Sequence, residues 1–148
     1  MVTAQHLLDL KGDDVWTISP EDTVYDALRL MARVDIGALL VMEGDDLVGI
    51  LSERDYARKI VLLGKASRDT KVREIMTSRV FSIHPLQTIE ECMDLMTQKR
   101  IRHVPVVLDE KVIGVISIGD VVKHIIHKQR ETIKDLTNKI SSTQSFVA

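Results

Sequence analysis

The sequence predicts an α/β (α+β) protein made of two β-α-β-β-α repeats packed face to face about a pseudo-twofold axis. Three observations carry this. The chain repeats itself without a gap at a spacing of 65 residues, so that Val15, Ile18, Pro20 and Thr23 return as Val80, Ile83, Pro85 and Thr88. Within each copy the apolar pattern passes from strand to helical spacing and back. A chain of 148 residues can bury roughly 68–70% of its unfolded surface, whereas one copy is too small to cover a three-stranded sheet and two helices.

Each copy opens on a short strand, Val15 to Ser19 or Val80 to His84, stopped by a proline that cannot continue a ladder. Thr23 and Thr88 are N-cap residues for the helix that follows, in which Val24, Ala27, Leu28 and Met31 recur at helical spacing, as do Ile89, Cys92, Met93 and Met96. Two apolar strands come next, Ala38 to Met42 and Leu47 to Leu51, then Val104 to Leu108 and Val112 to Ile116, joined by turns at Glu43-Gly44-Asp45-Asp46 and Asp109-Glu110-Lys111. A second helix closes each copy, Ser52 to Leu63 and Ser117 to His127. The repeats are thus expected over residues 5–63 and 71–129, with a polar linker, GKASRDT, at 64–70. The tail, 130–148, is expected to fray, although Ile133, Leu136 and Ile140 could extend a helix.

A net charge of −2 and a pI near 6.2 exclude a nonspecific nucleic-acid binder, which needs basic excess. The amino terminus lacks a basic region followed by an apolar run, and no segment approaches ~18 uninterrupted apolar residues. A cytoplasmic protein outside the membrane is therefore expected. Cys92, the only cysteine, falls among helical apolar residues and reads as a small buried hydrophobe. His124 and His127 could share a metal, but no third ligand accompanies them, and no metal is expected. The phosphate-loop, dinucleotide-fold, nucleophile-elbow and paired-cysteine signatures are missing, so an enzyme is not expected.

The chemistry concentrates where Gly49-Ile50-Leu51-Ser52-Glu53-Arg54-Asp55 returns as Gly114-Val115-Ile116-Ser117-Ile118-Gly119-Asp120. Serine followed three residues later by an acid is a capping box and requires no ligand. The same geometry suits a nucleotide. A helix start holds phosphate, Ser52 or Ser117 can bond it, and Asp55 or Asp120 can accept both ribose hydroxyls. The preceding glycine would leave room for the sugar. Arg54 and Arg58 share a helix face and can neutralise phosphate; the second copy lacks them, so its cations would come from Lys99, Arg100, Arg102 and His103. The two sites cannot be equivalent.

The paired TISP and SIHP strands, the IGALLVM and IRHVPVV segments and the two Gly-x-x-Ser-x-x-Asp motifs resemble a tandem of cystathionine β-synthase (CBS) domains, the Bateman module, over Gln5 to Gln129. The family's short leading helices match residues 5–10 and 71–76. The resemblance implies a regulatory module whose clefts bind AMP, ADP, ATP, S-adenosylmethionine or nicotinamide dinucleotides (NAD), and which pairs into a homodimer through its helices. It puts ribose on Asp55 and Asp120, with Ser52 and Ser117 facing ribose or phosphate. It lines the adenine pockets with Thr17 and Ile18, Ser82 and Ile83, and backbone near Gly37, Ala38, Arg102 and His103. A protein-interaction scaffold with unoccupied clefts is the rival expectation.

Overall fold

The computed structural model describes residues 1–145. Its first half holds helix α1 (Ala4–Lys11), strand β1 (Thr17–Ile18), helix α2 (Val24–Val34), strands β2 (Ala38–Glu43) and β3 (Asp46–Ser52), and a short helix α3 (Glu53–Tyr56) that passes into a π-helical turn, Ala57–Val61. The second half holds α4 (Val72–Ile75), α5 (Ile89–Lys99), β4 (His103–Leu108), β5 (Lys111–Ser117) and α6 (Ile118–Ser145). Thr23 and Thr88 cap α2 and α5 through their hydroxyls, and both helices end on a left-handed residue, Asp35 or Arg100. The two hairpins bulge at the same place, between Val41 and Met42 and between Val106 and Val107.

The expected strand at Val80 to His84, the helix from Ser52 to Leu63 and the frayed tail need correction. The strand at Val80 to His84 reduces to a single parallel bridge between Ile83 and Val106, while its counterpart β1 pairs over two residues with Leu40 and Val41. The cause is Pro105. Leu40 donates its N–H to the Trp16 carbonyl at 3.2 Å, and the proline at the equivalent position has no N–H to give. The helix expected from Ser52 to Leu63 changes register after Tyr56, with Leu62 N–H reaching back five residues to the Ala57 carbonyl. That register buries Ile60 and leaves Val61, Leu62 and Leu63 exposed, a phase that the run Ile60-Val61-Leu62-Leu63 cannot disclose because every position is apolar. The linker is docked: Ser67 and Thr70 accept from Tyr25 and Val24 N–H, and Thr70 is buried. Helix α6 continues unbroken through the tail to Ser145; the last of the expected fraying segment, residues 146–148, lies outside the described residues.

The packing adds something the repeat does not announce: the leading helices are exchanged. Ala4, Leu7 and Leu8 of α1 join the core of the second half, with Ile89, Cys92 and Ile116, whereas Val72 and Ile75 of α4 join the core of the first, with Val24, Met31 and Leu51. Gly114 and Gly49 make this exchange fit. A Cβ on Gly114 would lie 2.6 Å from Leu8 Cδ2, and one on Gly49 would lie 2.6 Å from Met76 Sδ and 3.1 Å from the Thr77 carbonyl. The glycines accordingly admit helices, not sugars, which corrects the reading that they leave room for a ribose. Among the described residues no helix is long and apolar enough to cross a membrane.

Gly114→Ala should destabilise the fold by about 1–3 kcal/mol, as overpacking does. Combined with Leu8→Ala it should cost less than the two single changes together, measured by urea denaturation; strict additivity would mean that α1 does not seat on Gly114.

Candidate functional site

Each half presents its Ser-x-x-Asp turn to a cleft walled by the other half. At the first turn Asp55 is buried. Its Oδ2 accepts from Ser52 N–H at 3.0 Å and the Ser52 hydroxyl at 3.1 Å. Its Oδ1 accepts from the Thr77 hydroxyl at 3.1 Å and pairs with Lys59 Nζ at 3.2 Å. Those contacts use about all the acceptor capacity of a carboxylate. The Asp55 N–H donates back to Ser52 Oγ, completing a capping box.

At the second turn the arrangement is simpler. Asp120 Oδ2 accepts from Ser117 N–H at 2.8 Å and from Lys11 Nζ at 2.6 Å. Both contacts fall on one oxygen. Lys11 also donates to the Val115 carbonyl at 2.6 Å. Burial would raise the Asp120 carboxyl, but the hydrogen bonds from Lys11 and Ser117 outweigh it and hold the group below its usual range.

The first cleft, of about 240 Å³, gathers Ser52, Asp55, Arg54, Arg58, Arg102 and His103 from the expected residues, with Gly37 at its edge. The second, of about 360 Å³, gathers Ser117, Asp120, Gly37, Ala38 and His103. His103 and Gly37 border both. Four expected residues line neither cleft. Ile83 is 2% exposed within the second core, Ser82 and Thr17 face outward, and Ile18 packs against the first core. Their places are taken by the preceding aromatics, Phe81 in the first cleft and Trp16 in the second. The like-for-like exchange of Trp16 with Phe81 in the repeat was the available signal. Lys11, Thr77 and Arg79 were also missed, because the exchanged helices and the segments after them deliver all three.

Burial pushes the Cys92 thiol up to about 11, which suits a core hydrophobe. His127 pairs with Glu131 at 3.0 Å on the exposed side of α6. Among the described residues no group of three or more His, Cys, Asp or Glu could hold a metal.

The CBS domain family matches residues 7–62 and 72–127, and the chain belongs to that family as a tandem pair of its domains. It is 43% identical over 130 residues to the mitochondrial CBS domain-containing protein CBSX3 of Arabidopsis thaliana, an alignment covering 84% of this chain and 63% of that relative; this chain therefore spans less than two thirds of it. A candidate signal-transduction protein with CBS domains from Burkholderia ambifaria MC40-6 superposes with a TM-score of 0.84 at 50% identity, covering 86% of this chain and 96% of that one. The fold is shared, at 22% identity and a TM-score of 0.76, by the CBS domain pair of protein MJ0100, solved with 5′-methylthioadenosine and S-adenosyl-L-methionine; 86% of this chain and 98% of that one are covered.

Burial holds the His103 ring below its ordinary 6.5; Asp120 opposes this, and Lys11 and Arg102 reinforce it. A base whose folded pKa is depressed contributes stability that is present above its unfolded pKa and lost as pH falls through the folded value. The depressed Asp120 carboxyl works in the same direction at lower pH. Melting temperature should thus drop between about pH 7.5 and about pH 5.5, and His103→Gln should flatten that drop; an unchanged slope would remove His103 as its origin.

Proposed function

We propose that this chain is a regulatory module that binds adenosine ligands in its two clefts and passes their presence to a protein partner through shape or association, without catalysis. One observation carries the reading: in each cleft an aspartate held by its own helix-start serine shares the lining with an aromatic ring from the other half, Asp55 with Phe81 and Asp120 with Trp16. A carboxylate recognises a sugar diol and a ring stacks on a purine, so the pair suits a nucleoside. The open Oδ1 makes Asp120 the readier of the two. Ribose at Asp55 would have to exchange with the Ser52 and Thr77 hydroxyls, a hydroxyl-for-hydroxyl replacement. A ligand acts in such a module only as far as it binds one conformation better than another.

The saturation of Asp55 also favours a second reading, an interaction scaffold in which both acids only cap helices. Thermal shift with AMP, ADP, ATP, NAD and S-adenosylmethionine separates them. A ligand at 100 times its Kd stabilises the fold by about 2.7 kcal/mol, whereas the scaffold shifts with none. Asp120→Asn keeps an acceptor for Ser117 N–H, so it should weaken binding by about 1.5–3 kcal/mol while lowering stability by no more than about 1 kcal/mol. If that variant binds normally and only melts earlier, the cap is the whole role of Asp120.

We further propose a homodimer. Helix α6 carries exposed Val122, Ile126, Ile133, Leu136 and Ile140 at steps of four, seven, three and four, the spacing of a two-stranded seam. A helix end with nothing packed on it is marginal in water. Ile133→Lys with Leu136→Lys should halve the mass seen by light scattering; a wild-type monomer would refute the pairing.

A further inference from the structure

We propose that the two clefts divide their ligands by charge: the cleft at Asp55 takes adenosine ligands with a diphosphate or triphosphate tail, and the cleft at Asp120 takes those whose tail is uncharged or cationic. This rests on the adenosine reading above and adds the ligand class of each cleft.

Arg54, Arg58, Arg79, Arg100 and Arg102 converge on the first cleft. Only Glu53 and Asp55 oppose them there, and Asp55 is committed to Ser52, Thr77 and Lys59. Among the described residues none of the five arginines pairs with a carboxylate. Arg54 instead donates to the Arg100 carbonyl at 3.2 Å, which bridges the halves across the cleft, and Arg79 lies 5.4 Å from the Phe81 ring centre. Guanidinium groups gathered without counter-charge repel one another, and a polyphosphate relieves that repulsion while matching their forked donors. A ring and an arginine on one wall suit a purine whose phosphates run toward the rest.

The second cleft lacks this provision position by position. The repeat places Gly119 where Arg54 stands, Lys123 for Arg58, Asp35 for Arg100 and Gly37 for Arg102. Asp14 and Asp35 join Asp120 along that cleft, with Lys11 and Lys123 as the only lysines. Lys11 is already held by Asp120 and the Val115 carbonyl, so Lys123 alone remains for an anion. A triphosphate there would meet more acid than base. A nucleoside with an uncharged or cationic tail would meet an open Asp120 Oδ1, an aromatic wall and a compatible field.

Calorimetry on the full chain tests this with ATP, adenosine and inorganic tripolyphosphate at ionic strengths of about 0.01 M and about 0.15 M, which shorten the Debye length from about 30 Å to about 8 Å. ATP and tripolyphosphate should compete for one site per chain and weaken with salt; adenosine should occupy a site that salt leaves unchanged. Arg58→Gln with Arg102→Gln should cost ATP about tenfold or more in affinity and leave adenosine alone. Asp14→Arg with Asp35→Arg should raise the ATP stoichiometry from one to two per chain, a gain that misfolding cannot imitate. Charge division is overturned if ATP and adenosine bind alike at both salts, if ATP fills both clefts of the unaltered chain, or if the arginine changes leave ATP untouched. The adenosine reading survives those outcomes. Tripolyphosphate binding with no adenosine compound bound would do the opposite, keeping a phosphate cleft and ending the nucleoside reading, and a chain that binds none of the three ends both.

Discussion

The structure depends on the reciprocal seating of α1 on Gly114 and of α4 with Met76 on Gly49. Each leading helix completes the core of the half that it does not precede, so neither half buries its sheet alone. The exchange also fixes the clefts. Lys11 reaches Asp120, and Thr77 reaches Asp55, only because the helices that carry or precede them cross to the opposite half. The side chains of each cleft are thus held in place by the two cores.

On that symmetric frame the charges are not symmetric. The capping boxes at Ser52 and Ser117 are nearly superimposable in their bonds, yet Asp55 is surrounded by donors that use both of its oxygens and Asp120 by donors that use one. Gly37, Ile50 and His103 border both clefts, so the two clefts share a wall. Burial that lowers the His103 pKa disfavours a further cation in that wall.

Most of the fold was legible in the sequence because the repeat doubles every signal. The threonine caps and the hairpins were each read twice, and each appears twice. What stayed hidden was tertiary. A helical pattern such as Leu7-Leu8 shows that one face is buried without naming the sheet that buries it, so the exchange was invisible. The loss of the strand at Val80 to His84 was written in Pro105, but only pairing reveals which partner needs that missing N–H. At the site, Ser52, Asp55, Ser117 and Asp120 were legible as motifs, and Arg54, Arg58, Arg102 and His103 as charges near them. Thr17, Ile18, Ser82 and Ile83 line neither cleft, and the cleft side belongs to the residues just before them, Trp16 and Phe81, which no periodicity singles out in so short a segment.

The central claim is that an acid fixed by its own helix cap, facing a ring from the other half, forms a nucleoside pocket. A crystal structure of the chain grown with ATP and 5′-methylthioadenosine together tests it most directly. The account predicts purine density against Phe81 and Trp16, with ribose hydroxyls on the neighbouring aspartates. Clefts holding only solvent at saturating ligand, with Asp55 and Asp120 still bonded only to their caps and neighbouring side chains, would contradict it.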